Sequence, residues 1–299
     1  MSKKIVPYVL LIPLILAIII FIIYPLYRVV EYSFYEASFL NPFQRQFVGM
    51  DNYKWLFTFK LFNPKLSYFL NALFKSLLWV LISVGLKVIF GILGACLLNS
   101  RFLHGKSVYR TLVIVPWAIP WAMGAMMWAW TLNSQFGVIN SFLMKTGLVS
   151  IPVSFLSTPR LAFLTTAVVD MWAGLPFMII MILEIGRAIP DSLYEAATID
   201  GANTLQQFFR ITLPMIKSVI LTVSLLSTVW TFNSFDIIWI MTRGGPINAT
   251  ETLPISIYKT AFLMIRFGGI GKAAAMTIAQ VTLVTLISMF YIKTLRQKE

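Results

Sequence analysis

The sequence predicts an all-α membrane protein with six transmembrane helices and both termini on the cytoplasmic side. Composition, the length of the apolar runs and the placement of basic residues carry that expectation. Of 299 residues, 59% are hydrophobic and 12% are charged, and the mean hydropathy is +0.82. A soluble domain is about 45–50% apolar and about 25% charged. A chain with so little polar surface is better matched to lipid than to water.

The expected spans are residues 5–30, 71–99, 108–132, 161–186, 213–242 and 272–294. Within them, Ile5 to Tyr27, Thr111 to Leu132 and Ala273 to Ile292 carry no charge. Ser76 to Leu98 holds only Lys87, Leu161 to Leu183 only Asp170, and Ser218 to Thr242 only Asp236. Each run is near the roughly 20 residues that cross about 30 Å of hydrocarbon as a helix. Barrel strands would instead alternate over about 10 residues. The first span follows Met-Ser-Lys-Lys but is too long for a signal h-region and lacks a small-x-small cleavage site, so it reads as an anchor.

Six spans place both termini on one side. Lys3, Lys4, Arg101, Lys106, Arg110, Arg187, Arg210, Lys217, Lys293, Arg296 and Lys298 lie there in short segments. Arg45, Lys54, Lys60, Lys65, Lys145, Arg160, Arg243, Lys259, Arg266 and Lys272 are spread over longer stretches opposite. The denser side is expected to be cytoplasmic. The net charge of +13 therefore reads as basic flanks of spans, with membrane lipid as the partner and no nucleic acid. Residues 1–299 read as a single transmembrane domain without repeats, with an ordered extracytoplasmic lid at about 35–68 and a cytoplasmic loop at about 187–214.

Catalytic chemistry finds little material. His104 is the only histidine and Cys96 the only cysteine, read as a solvated loop residue and a packing residue. No metal-spaced ligand set or Gly-rich phosphate cradle is present. No catalytic residue, metal or cofactor is expected on this chain, and energy from a nucleotide would have to come through another polypeptide.

One polar stretch interrupts the apolar pattern: Glu195 to Pro214, EAATIDGANTLQQFFRITLP. Asp191 is expected to cap a short helix over Ser192 to Ile199, and Gly201 to end it in a left-handed turn. Thr204 with Gln207 fits a capping box for a second short helix. Leu205, Phe208 and Phe209 share a face of that helix, and Pro214 is expected to close it. Two readings follow: a capped turn resting on its own spans, or a helix-turn-helix knob that enters a groove on a cytosolic partner.

The pattern Glu195-Ala196-Ala197, three residues, Gly201, nine residues, Ile211-x-Leu213-Pro214 resembles the EAA loop of binding-protein-dependent ABC importer permeases. Tyr24-Pro25, Pro116-Trp117-Ala118-Ile119-Pro120, Trp172-x-Gly174-x-Pro176 and Thr242-Arg243-Gly244-Gly245-Pro246 resemble the carbohydrate-importer branch, of maltose or glycerol-phosphate type, and its first permease subunit. The resemblance spans nearly the whole chain. It lacks the two additional N-terminal helices of some enteric maltose permeases. It implies a type I importer permease fold in a prokaryotic cell membrane. The implied partners are a second homologous permease forming a heterodimer, two ATPase subunits that use ATP and Mg, and an extracytoplasmic sugar-binding protein. Glu195, Ala196, Ala197, Asp200, Gly201, Ile211, Leu213 and Pro214 would then form the ATPase-coupling loop, with Glu195 pairing with a cation of the ATPase.

Polar groups within spans are costly and become candidates for the substrate path. Asp170, Trp172, Gly174 and Phe177 in the fourth span, and Trp230, Asn233, Ser234 and Asp236 in the fifth, combine hydrogen-bonding groups with aromatic planes. Such a mixture suits sugars. A plainer reading has the aromatics packing and Asp170 or Asp236 pairing with Lys87. Two carboxylates without a matched arginine favour neutral oligosaccharide over glycerol phosphate. Other readings are a proton-coupled secondary transporter using Asp170, Asp236 and Lys87, or an ABC importer for amino acids.

Overall fold

The structure is a computed structural model that describes residues 6–38, 41–61, 65–100, 103–264 and 269–296. Lys3, Lys4, Arg101, Arg266 and Lys298, counted above for orientation, lie outside the described residues. The chain divides into two compact units, one of residues 1–73 and 256–283, the other of residues 74–255 and 284–299.

In the first unit, helix α1 (Val6–Ile18) runs through a five-residue π turn (Ile19–Ile23) into α2 (Tyr24–Tyr32). Proline explains the turn. Pro25 has no N–H, and its ring would strike the carbonyl four residues back in a regular helix. The wider turn lets the Tyr24 N–H reach the Ile19 carbonyl instead. Neither the π turn nor α2 has a buried residue. An apolar helix surface of that kind is suited to lipid or to another protein.

A hairpin follows, β1 (Tyr35–Ser38) antiparallel to β2 (Asn41–Phe47), with Tyr35 opposite Phe47 and Glu36 opposite Gln46. The rings of Tyr35 and Phe47 meet edge to face at 5.4 Å, a favourable cross-strand pair. Helix α3 (Asp51–Thr58) is tied to it by buried Asn52, whose Nδ2 donates to the Ser33 and Tyr35 carbonyls, both at 2.9 Å. Two strands had not been expected in an all-α reading. They lie in the segment assigned to the lid, whose described residues are folded.

The second unit is built on three long helices: α4 (Tyr68–Asn99), α8 (Pro159–Gly186) and α11 (Leu213–Phe232). Helix α4 also contributes its first turns to the first unit. Its buried stripe runs Ser76, Trp79, Ser83, Lys87, Ala95 and Leu98. Gly91 and Gly94 allow α8 to approach closely: a Cβ on Gly91 would collide with Met178, and one on Gly94 would lie 2.7 Å from Ile179 Cδ1. Small residues at a crossing are the usual way helices gain contact in lipid. Ile182, Leu183, Ile216 and Val223 complete this core.

Between α4 and α8 lie α5 (Lys106–Ala118), α6 (Trp121–Thr131) and α7 (Val138–Lys145). The third expected span is therefore not one rod. Helices α5 and α6 meet at 95°. Ile119 precedes Pro120 and is pushed out of helical geometry, to φ −81° and ψ 128°. Among the described residues, five helices are long and apolar enough to cross a membrane, or six if the bent pair counts as one span.

The fifth span also differs from the expected 213–242. Helix α11 stops at Phe232, and residues 236–242 form a separate short helix, α12 (Asp236–Thr242), packed on α6. Asn233 turns its amide back to the Val229 carbonyl at 2.8 Å, a side-chain bond that competes with helix continuation. Asp236 thus sits in the first turn of α12 rather than mid-span. The last elements are α13 (Leu253–Tyr258), which a π turn (Lys259–Leu263) extends, and α14 (Ile270–Arg296).

The Gly94 contact generates a test. Gly94→Val should lower the thermal unfolding midpoint of the detergent-solubilised chain, because overpacking costs on the order of 1–3 kcal/mol. Gly85→Ala, whose Cβ would meet nothing within 4 Å, should not lower it, since alanine favours the helix over glycine. Equal midpoints for the two variants would refute close packing of α4 on α8.

Candidate functional site

The polar stretch folds as two short helices, α9 (Asp191–Ile199) and α10 (Thr204–Gln207). Gly201 has φ +79°. The Gly201 N–H reaches the Thr198 carbonyl at 3.0 Å, and the Ala202 N–H reaches Ala197 at 2.8 Å. These are the two bonds of a Schellman motif, which satisfy carbonyls left open at a helix end. Three details depart from the sequence reading. Pro190 occupies the N-cap and Asp191 the first turn, without a side-chain cap. The capping box is Asn203 with Gln206, one residue earlier than Thr204 with Gln207, both bonds being 2.9 Å. Asn203 wins because it holds the extended backbone an N-cap needs, φ −77° and ψ 169°.

Pro214 does not end the second helix. A π turn over Phe208–Thr212 leads straight into α11, so Thr204–Phe232 is one continuous helical span of 29 residues. The Leu213 N–H bonds the Phe208 carbonyl, which is the same accommodation of proline seen before Pro25. Ile211 belongs to the π turn, and Leu213 and Pro214 are the first residues of α11.

Side chains pin the two arms together. Tyr194 Oη lies 2.8 Å from Thr212 Oγ1, and Gln207 Nε2 donates to Thr198 Oγ1 at 2.9 Å. A groove of about 700 Å³ runs between this motif and the end of α4, lined by Glu195, Tyr194, Thr198, Gln207, Asn99 and Cys96 among others. Glu195, Ala196 and Asp200 are exposed, Ala197 half-buried. Glu195 has no ion-pair partner among the described residues. Ile199, Leu205 and Phe209 are 86%, 69% and 61% exposed. A rigid polar turn thus presents three large apolar side chains and an unpaired carboxylate.

The candidate path residues separate into four groups. Phe177 and Trp230 come together with ring centroids 5.0 Å apart, and Trp117 stacks on Phe177 at 6.1 Å. Trp117 and Trp230 remain 48% and 42% exposed. Trp172 lies elsewhere, edge to face with Trp128 at 5.5 Å and against Gly124. Asp170 is buried and paired with Lys87 at 2.6 Å, with Ser83 Oγ also donating to the same carboxylate oxygen. Gly174 lies against Lys87. Asn233 and Asp236 are exposed, and Ser234 is buried, its Oγ without a hydrogen-bond partner among the described residues. Of the two expected partners for Lys87, the structure selects Asp170. Trp117, which the sequence shows only within the Pro116–Pro120 motif, thus joins Phe177 and Trp230, and nothing in the sequence singles out Thr231.

Residues 87–297 match the family described as binding-protein-dependent transport system inner membrane component. The chain belongs to that family. Its exposed Glu195–Pro214 turn and broken spans are therefore features of an inner-membrane transport component. Among its relatives, a probable ABC transporter permease of Brucella suis is 33% identical over 293 residues, 98% of this chain and 97% of that protein. The trehalose/maltose transport system permease of Thermococcus litoralis is 33% identical over 286 residues, 96% and 92% of the two chains. A crystal structure of a bacterial ABC transporter involved in import of the acidic polysaccharide alginate has a chain that superposes with TM-score 0.81 at 23% identity, covering 98% of this chain and 95% of that one. That likeness shows the fold, the type I importer permease arrangement.

The capping box yields a local test in this transport component. Asn203→Ala should weaken the start of α10 by about 1 kcal/mol, read as roughly five-fold faster hydrogen exchange at Gln206. Unchanged exchange there would assign the helix start elsewhere.

Proposed function

We propose that this chain is the first permease subunit of an ATP-driven importer that moves neutral oligosaccharide across a prokaryotic cell membrane. Its partners are a second, homologous permease, two ATPase subunits that use ATP and Mg, and an extracytoplasmic sugar-binding protein. Residues 1–299 act as one permease domain with cytoplasmic termini. The observation that carries this reading is the exposed turn bearing Glu195, Ile199, Leu205 and Phe209. Exposed apolar groups clustered on a rigid polar element mark a protein contact, and an unpaired carboxylate beside them suits a cation on the partner. The resemblance of Glu195 to Pro214 to the EAA loop supports an ATPase subunit as that partner.

The mechanical argument follows from continuity. At roughly 1.5 Å per residue, the 29 residues of Thr204–Phe232 make a rod of about 43 Å. Closure of the ATPases on the turn would displace one end of this rod, and Trp230 rides near the other. Trp117, Phe177 and Trp230 offer apolar faces to sugar rings, while Ser234, Asn233 and Asp236 offer hydrogen-bonding groups close by. Within residues 76–98, 161–183 and 218–242, Lys87 is the only basic residue, and Asp170 neutralises it. That supports a neutral cargo, as does the trehalose/maltose transport name of the Thermococcus litoralis relative.

Two experiments test the reading. Gly201→Val places a β-branched residue at φ +79°, a conformation tolerated by glycine and strained for valine. The purified complex should lose its ATPase subunits while the permeases remain inserted. Retention of both ATPases with wild-type transport would remove the coupling role. For the cargo, Trp230→Ala and Phe177→Ala should each slow sugar uptake in reconstituted vesicles. The expected loss is on the order of 1–2 kcal/mol, roughly 5- to 30-fold, with assembly intact. Normal uptake in both would place the path elsewhere.

A further inference from the structure

We propose that Lys87 is a positioning residue for transport: its ammonium is the joint through which the helix bearing the coupling turn acts on the helix bearing Phe177. The proposal rests on the importer reading above and concerns residues which that reading leaves unused. Lys87 Nζ donates to Asp170 Oδ2 at 2.6 Å and to Thr231 Oγ1 at 2.8 Å. Ser83 Oγ donates to Asp170 Oδ2, and Thr231 Oγ1 stands 3.4 Å from that same oxygen. All four residues are at most 4% exposed. The ring of contacts joins α4 through Ser83 and Lys87, α8 through Asp170, and α11 through Thr231.

Gly174 belongs to this device. A Cβ there would lie 2.8 Å from Lys87 Cε and 3.1 Å from Nζ. The lysine stem passes through the space that a side chain at position 174 would fill. The glycine therefore serves the route of Lys87 across α8, one turn beyond Asp170, and offers nothing of its own to a ligand.

Stability alone is a weak reason for such a group. Buried ion pairs are often matched or bettered by apolar residues of similar volume, whereas loss of one partner is severely damaging. What the pair supplies is direction: an ammonium makes short, oriented bonds to two helices at once, and hydrocarbon cannot. Thr231 is the next-to-last residue of the continuous Thr204–Phe232 helix and follows Trp230. Asp170 lies two turns before Phe177 on α8. A shift of α11 must therefore either carry α8 with it or break a bond that no water replaces. The aromatic faces of Trp230 and Phe177 would keep their alignment through the stroke.

The test uses the complete complex with its ATPases and binding protein, reconstituted in vesicles, and reads sugar moved per ATP hydrolysed. Thr231→Val removes one hydroxyl and keeps the shape, and Thr231→Ser restores the hydroxyl. Lys87→Met combined with Asp170→Leu removes both charges. With Thr231→Val and with the double variant, subunits should co-purify and receptor-stimulated ATP hydrolysis should persist. Sugar per ATP should fall by about five-fold or more, the size expected of a lost buried hydrogen bond. Thr231→Ser should return the ratio to wild type. A purely structural pin predicts otherwise: lower melting temperature with an unchanged ratio, and that result overturns the proposal. If the double variant does not assemble, the Thr231→Val ratio decides alone, and a wild-type value overturns it. Wild-type vesicles that hydrolyse ATP but move no sugar would overturn the cargo reading and the proposal with it.

Discussion

Lipid offers the backbone no hydrogen-bond partners, and most irregularities of this chain are responses to that constraint. Of the prolines that lie within helices, Pro25 and Pro214 each follow a five-residue π turn. In both, the residue before proline bonds a carbonyl five positions back, so the helix survives a missing donor without a gap. Pro120 is handled differently: the chain leaves helical geometry at Ile119 and restarts at Trp121 after a 95° bend. The other break, at Asn233 to Phe235, has no proline. There the Asn233 amide occupies the Val229 carbonyl and the Ser234 N–H reaches the Thr231 carbonyl at 3.1 Å. Irregular backbone at membrane depth is tolerated where protein or a cavity covers it. Trp117 and Trp230, the exposed aromatic pair, sit beside these two breaks.

The same constraint explains how the polar side chains are disposed. Exposed threonines turn back to their own helices, as Thr111 does to the Ser107 carbonyl, Thr222 to Ser218 and Thr282 to Ile278. Lys87 and Asp170 cannot be satisfied that way. Each needs a counter-charge, and each finds it on another helix. Their bond to one another costs α8 a side chain at position 174, because Lys87 occupies that volume.

The apolar runs that made six spans legible were reliable because hydrocarbon length is a physical gauge. They were blind to where a run breaks. Residues 213–242 are uniformly apolar enough to cross, yet the helix ends at Phe232, through local competition by one amide. Gly201 was legible because a turn between two short helices needs positive φ, and glycine adopts it without penalty. The neighbouring cap was misplaced by one residue because Asn203–Gln206 and Thr204–Gln207 both satisfy the capping pattern, and only the backbone entry angle separates them. Among the path candidates, Phe177 and Trp230 come together, while Trp172 packs with Trp128. Helical spacing placed Asp170, Gly174 and Phe177 on one stripe of α8. It could not say that Lys87 crosses from another helix to occupy the first two.

Under the proposed coupling role, the many local bonds of the Glu195–Pro214 turn have a mechanical reason. Its closure uses two Schellman bonds, a reciprocal capping box, and the Tyr194–Thr212 and Gln207–Thr198 contacts. Helices of nine and four residues are too short to hold their shape alone, so these bonds fix the geometry of the turn. A flexible turn would absorb a partner's motion in its own dihedral angles. A turn with its carbonyls and amides already paired transmits displacement, and the nearest compliant point then lies beyond it. The π turn at Phe208–Thr212 preserves that transmission, since it passes proline without opening the ladder. Rigidity at the turn and continuity along Thr204–Phe232 place the first break in the backbone at Asn233, next to Trp230 and Thr231, where a movement of the helix would meet both the aromatic wall and the buried ion pair.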